Sequence, residues 1–254
     1  MEKTAIRWCD STWNFLTGCT HVSEECRMCY AEVIATSPRF ANGFPNGFTP
    51  TFKAARLGQP ASWRQPRRIF VNSMSDMHHQ DFTRDQVDAG YDAMVATPRH
   101  QYLVLTKRPQ RMADYFVGPD GWLERRGLDA VPDHIWLGTS IGLDKYTFRA
   151  DHLRRIPVGV RFLSCEPLLG PLPSLNLDGI AWVIVGGESG NGTRNFRKMD
   201  LDWARDLRDR CAAAGVAFFY KQDSGVRTEL RIELDGERIE QWPRPHPNET
   251  PVLL

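Results

Sequence analysis

Three cysteines, Cys19, Cys26 and Cys29, lie within eleven residues of the segment "GCTHVSEECRMCYAE", spaced C-x6-C-x2-C. Thiolates this close together can share one metal centre. Three can hold a [4Fe–4S] cluster with one iron left open, or zinc if a fourth ligand joins. His21 offers that fourth ligand, through C-x-H-x4-C-x2-C. The alternative is unligated buried cysteine, which suits a polar, glycine-containing stretch poorly. Cys9, Cys165 and Cys211 suit it better. Cys211 falls on the apolar face of a helical pattern, and Cys165 sits beside Glu166 at a strand end.

The setting favours a metal over a disulfide framework. No apolar run approaches the ~20 residues that span a bilayer. The opening "MEKTAIRWCD" has no apolar h-region, so no secretory signal is expected and a cytoplasmic, reducing location is. There a tight cysteine cluster reads as a metal site. The 254 residues carry a net charge of +1, so no global field steers the chain to nucleic acid or to an anionic membrane. A local basic patch stays open. Arginines and aromatics interleave over 56–68 ("RLGQPASWRQPRR") and 107–126, stretches that could hold phosphates and stack bases.

The cysteines need a scaffold, and the rest of the chain supplies one. Apolar, β-branched runs recur about every thirty residues: 67–76, 101–109, 134–141, 160–170, 181–190 and 216–222, with an earlier candidate at 4–14. Nearly continuous apolar runs suit strands buried on both faces, as in a parallel sheet. Between them lie helical patterns. One has Thr83 as N-cap and stops before Pro98; another places Leu201, Ala204, Leu207 and Cys211 on one face and ends at Gly215. The alternation predicts a single α/β domain over 1–254, a parallel (β/α) barrel or partial barrel of six to eight strands. Residues 31–66 read as an irregular insertion or lid. Residues 224–254 read as a C-terminal extension, a β-ribbon turning at Asp235-Gly236.

Each predicted strand ends in polar residues: Asn72 to Asp76, Thr106 to Arg108, Thr139-Ser140, Ser164 to Glu166, Gly187 to Ser189, and Lys221-Gln222. In a parallel barrel such ends converge on one rim, where active sites gather. The cysteine segment follows the first strand and so belongs over that rim. Lys107, Arg108, Glu166, Glu188, Lys221 and Gln222 are candidate pocket residues, and His78 and His79 are loop histidines or proton donors. Two function classes follow. One is a redox enzyme built on an iron–sulfur cluster; the other is a non-redox zinc or iron–sulfur protein that binds nucleic acid or a partner protein.

The segment "TWNFLTGCTHVSEECRMCYAE" resembles the opening of radical S-adenosylmethionine (SAM) enzymes, in particular the spore photoproduct lyase-like branch. "VNSMSDMHHQ", "LTKRP", "GTSI" and "CEPLLGPL" resemble that branch's successive strand segments in order. Over nearly its full length the chain is also similar to phage Gp37/Gp68-type proteins, through "IRWCDSTWN", "RRIFVNSMSDMHH", "LTKRPQRM", "SCEPLLG", "VGGESG" and "FFYKQ".

The resemblance implies a [4Fe–4S] cluster on Cys19, Cys26 and Cys29, with SAM as cosubstrate and an external electron donor. SAM would be cleaved to a 5′-deoxyadenosyl radical that abstracts hydrogen from an unknown substrate, nucleic acid or nucleotide among the options. Two departures stand out. The first cysteine gap is six residues where the family's usual gap is three, and Met28 stands where an aromatic is usual. The family's Gly-Gly-Glu belongs after the second strand, whereas Gly186-Gly187-Glu188 comes after about the sixth. By position Ser73, Ser75 and Asp76 are expected at the methionine end of SAM, with Glu188 as rival. Met28, Thr139, Ser140 and Gly187 complete the expected cofactor shell. Glu166, Lys107 and Lys221 are the expected catalytic groups.

Overall fold

The computed structural model describes residues 4–244 and 246. Among the described residues, nine strands form: β1 (Ser11–Trp13), β2 (Leu16–Thr17), β3 (Thr51–Phe52), β4 (Arg68–Val71), β5 (Gln101–Thr106), β6 (Ile135–Ser140), β7 (Arg161–Cys165), β8 (Trp182–Gly186) and β9 (Ala217–Gln222). Among the same residues, seven α-helices accompany them: α1 (Tyr30–Thr36), α2 (Gln59–Ser62), α3 (Arg84–Val95), α4 (Pro109–Val117), α5 (Trp122–Arg126), α6 (Arg149–Arg154) and α7 (Leu201–Ala214). Seven strands make one sheet in the order β1-β4-β5-β6-β7-β8-β9, every neighbour parallel. The sheet curls into a half-barrel flanked by helices. All seven runs expected from sequence are strands of this sheet.

Helix ends follow their local chemistry. Thr83 and Gln86 form a reciprocal capping box at the start of α3. The Asp200 side chain caps α7, and Gly215 ends it with φ +67°. The βα alternation lapses once. No helix joins β7 to β8; instead Leu168, Leu172 and Leu175 of the connection are buried in the core.

Side-chain parity divides each strand between two environments. On β6, Ile135 and Leu137 face the main core beneath the helices, while Trp136 faces a second cluster inside the curl. That inner cluster also takes Phe70, Leu103, Phe162, Trp182, Ile184 and Phe219. Continuing the same parity toward the carboxyl ends gives Lys107, Ser140, Ser164, Glu166 and Lys221. One concave surface is therefore aromatic at its base and polar at its rim. Gly138 makes the packing possible, because a Cβ there would overlap the Phe162 ring.

Segments from both ends of the chain cover the sheet's far edge. Arg7 pairs with Glu229 and Glu240 and donates to the carbonyls of Tyr220 and Lys221. The C-terminal ribbon is much reduced. Asp235 and Gly236 adopt positive φ and Leu234 bridges Glu237, but the partner of Glu240 is Phe219 on β9. Residues 245 and 247–254 of that expected extension lie outside the described residues. Among the described residues, no helix is long and apolar enough to cross a membrane.

Candidate functional site

A cavity of about 650 Å³ opens over the carboxyl ends of the strands, within the usual size of small-molecule sites. Its apolar base is Ile6, Trp8, Phe70 and Leu105, and its rim carries Lys107, Ser140, Ser164, Glu166 and Lys221. Cys19, Cys26, Met28 and Cys29 also line it. The cysteine segment thus lies at the carboxyl-end face, as expected from its position after β1.

Gly18 starts the cysteine loop with φ +84°, and a side chain there would overlap the backbone of Phe48 and Thr49. The chain continues the sheet loosely, Gly18 bridging Ser75, and the Cys19 N–H donates to the Phe48 carbonyl at 3.1 Å. Residues 31–66 are therefore stitched to the loop: β3 pairs with β2, and Ile34 and Phe48 form part of the cavity wall. Cys29 is the N-cap residue of α1.

All three thiols are free and partly exposed. Burial raises the Cys19 pKa, with Asp76 adding to the rise and Arg108, 3.5 Å from its Sγ, opposing it. Burial also raises that of Cys29, with backbone N–H groups and Lys107 opposing. This donor set suits a thiolate-bound cluster: three cysteines on one cavity, with cations beside two of them. Among the described residues, no three His, Cys, Asp or Glu side chains converge closely enough to form a metal site as they stand. His21 bonds Glu32 at 2.8 Å on the exposed side and does not line the cavity, which disfavours the Cys3His pattern.

The expected cofactor residues divide once their partners are known. Asp76 lines the cavity, but four donors already occupy its carboxylate. Oδ1 accepts from the Thr106 hydroxyl at 2.6 Å and the His78 N–H at 3.0 Å; Oδ2 accepts from the Lys107 N–H and Arg108 Nη1, each at 3.0 Å. Burial alone would raise its pKa; Arg108 and these hydrogen bonds outweigh that and hold it below the ordinary value. Ser73 donates to Asn14 at 3.1 Å and Ser75 to the Gly18 carbonyl at 2.6 Å, so both hydroxyl protons are engaged. Thr139 is not at the cavity. By parity it faces away, bonding the Thr106 carbonyl at 2.9 Å, while its neighbour Ser140 faces in.

The late Gly-Gly-Glu has internal partners as well. Glu188 is buried, accepts from the Arg197 backbone at 2.8 Å and forms an ion pair with its guanidinium. Burial alone would raise its pKa, yet Arg197 holds it below the ordinary value. Gly187 admits the backbone and hydroxyl of Ser224, which a Cβ would overlap. Gly187 thus serves close approach of chain to chain, and with Glu188 it also lines the cavity. Glu166 and Lys221 form an ion pair of 2.7 Å facing the cavity. Among the described residues, the Lys107 ammonium has no hydrogen-bond or ion-pair partner.

Sequence reasoning missed the cysteine loop's anchors. Glu25 forms a buried ion pair with Arg149 at 2.7 Å, Arg197 donates to the Glu24 carbonyl at 3.0 Å, and Asn191 donates to the Met28 carbonyl at 3.2 Å. These contacts span more than a hundred residues, and no local spacing announces them. The arginine-rich stretches are largely structural. Arg56 and Arg111 donate to backbone carbonyls, Arg67 to Ser11, Arg125 and Arg126 pair with Asp88 and Asp92, and Arg108 pairs with Asp76. His79 bonds the Thr20 hydroxyl at 2.8 Å, beside Cys19, and His78 bonds Tyr91 at 3.0 Å.

This α/β half-barrel with its thiol-lined cavity defines a class of fold and site. Residues 3–243 match the family described as "Protein of unknown function (DUF5131)", and the chain belongs to that family. Searches of curated proteins and of solved structures return no match.

Proposed function

We propose that this protein is a radical SAM enzyme of the cytoplasm, using Cys19, Cys26 and Cys29 as the three protein ligands of a [4Fe–4S] cluster. The observation that carries the reading is that all three thiols line one cavity at the carboxyl ends of a parallel half-barrel. A structural zinc staple would not need that position. When bound, the cluster and SAM, with an external electron donor, would supply a 5′-deoxyadenosyl radical for hydrogen abstraction from a substrate not yet identified.

The chain's own residues divide the remaining work. Lys107, which has no partner among the described residues and acts electrostatically on Cys29, takes over from Ser73 and Ser75 as the partner of the methionine carboxylate. Asp76 instead holds Arg108 against Cys19. Ile6, Trp8, Phe70 and Leu105 give an apolar floor for a flat ring and exclude water. Glu166 and Lys221 share a proton-bearing contact at the rim, placed to move a proton at the substrate. The arginine-based argument for a nucleic-acid substrate loses weight, since most of those guanidinium groups are engaged internally.

The test is anaerobic reconstitution with iron and sulfide. The expected outcome is about four irons per chain, a spectral change on adding SAM, and 5′-deoxyadenosine after dithionite reduction. A reduced four-iron protein that neither responds to SAM nor releases deoxyadenosine would overturn the reading.

A further inference from the structure

We propose that Glu25 and Arg149 are a positioning pair, setting the Cys26–Cys29 arm of the loop on the sheet before any metal arrives. The inference rests on reading the three cysteines as cluster ligands. Glu25 immediately precedes Cys26. Its neighbour Glu24 is exposed, as is Arg27, yet its own side chain is 0% exposed and that of Arg149 only 4%.

The carboxylate is bound on both oxygens. Oε1 accepts from the Gly142 N–H, just beyond β6; Oε2 accepts from Arg149 Nη1 at 2.7 Å and from the Ser23 hydroxyl. Arg149 Nη1 also donates to the Ser140 carbonyl at 2.8 Å, and its guanidinium lies 4.1 Å from the centroid of the Tyr146 ring. Stability alone is a poor reason for such a pair, because a well-packed apolar pair of similar volume does as well or better. What the ion pair adds is direction. Its hydrogen bonds fix the register of residues 23–26 against the end of β6.

Cys19 is tied elsewhere, to Phe48 of the insertion and to Arg108 after β5. The loop therefore has two arms on different parts of the sheet, joined through the exposed residues 20–22. The C-x2-C arm is the one with a fully buried anchor. Glu25 also borders the cavity, but both its carboxylate oxygens are held by Gly142, Arg149 and Ser23, and it acts through Cys26.

Four full-length variants test the assignment: Glu25→Gln, Arg149→Met, the double Glu25→Leu/Arg149→Met, and Asp88→Asn as a control. The control breaks the Asp88–Arg125 pair on the outer helices, away from the loop. Each is measured for apo-protein Tm, for amide hydrogen exchange over 23–29, and for the rate at which reconstituted iron is lost to a chelator. In both single variants, exchange over 23–29 should accelerate about tenfold or more, as local opening of that arm becomes easier. The double variant should recover Tm relative to the singles, yet keep the fast exchange and lose iron about tenfold faster than wild type. The control should lose Tm with wild-type iron retention. Wild-type exchange over 23–29 in the double variant would overturn the proposal. So would iron loss that simply tracks Tm across the whole set, control included. If the wild-type protein takes up no iron, the cluster reading fails, while the exchange measurement still decides the positioning role.

Discussion

Replacing Asp76 by asparagine separates a ligand-binding carboxylate from a structural one. The Asp76 side chain is 8% exposed and its partner Arg108 10%. Four donors converge on its two oxygens, two on each. Asparagine keeps one oxygen and puts an N–H2 where the other was. Whichever way the amide turns, two existing donors then face a donor. Each unsatisfied buried group costs about 1–3 kcal/mol, and breaking a buried ion pair by removing one partner costs about 3–5 kcal/mol. These are overlapping descriptions of one event, so a loss of about 3–5 kcal/mol is expected. That is a large share of the ~5–15 kcal/mol that holds a domain together. Urea titration of the apo protein measures it directly. A loss below about 1 kcal/mol, the range of an ordinary exposed ion pair, would refute the structural role of Asp76 and make it a free ligand acceptor again.

Other consequences are as definite. Burial holds the His78 imidazole down at about 4, so between that value and the unfolded ~6.5 the unfolded chain binds more protons and stability falls as pH falls. From pH 7 to 5 this residue should account for about 2 kcal/mol of lost stability; an equally steep loss in His78→Phe would contradict it. Alanine at Cys19, Cys26 or Cys29 should abolish iron retention, whereas Cys211→Ala, on the buried face of α7, should keep the iron and lose about 1 kcal/mol of stability. Full iron in Cys26→Ala would sink the ligand assignment. Gly18→Ala should destabilise by more than about 2 kcal/mol, from positive φ and backbone overlap together; a thermal melt matching wild type would disprove that packing. Lys221→Met should suppress turnover while iron content and the SAM-induced spectral change persist, and unchanged product formation would remove the Glu166–Lys221 pair from the chemistry.

The strands were legible because each is a continuous apolar run, and their polar ends were legible because the run stops abruptly. Thr83 and Gly215 announced their helix ends through local chemistry alone. Parity was the signal left unused. Strict alternation from Trp136 sends Ser140 into the cavity and Thr139 away from it, but a run buried on both faces hides that alternation from inspection. Partnering was not legible at all. Asp76, Glu188 and the arginines of 56–68 and 107–126 look like free chemical groups when only neighbours in sequence are considered. Their counter-charges arrive from other segments, as Arg149 reaches Glu25 across 124 positions. The glycines of 186–190 read as room for a ligand; Gly187 lines the cavity, yet it also makes room for the chain's own Ser224.

An open half-barrel leaves two unpaired borders, and an unprotected border invites another chain to add a strand. β9 avoids this through the chain's own ends. The Tyr220 N–H donates to the Ile239 carbonyl at 2.8 Å, the Phe218 N–H to the Gln241 side chain at 2.9 Å, and the Gln241 N–H to the Phe218 carbonyl at 3.1 Å, while Arg7 takes the next two carbonyls. The last described segment thus acts as a selvedge on the sheet, keeping molecules from knitting together. A chain shortened before Ile239 would keep every thiol and every rim residue, yet expose this border, and its failing would be aggregation at high concentration rather than an altered cavity.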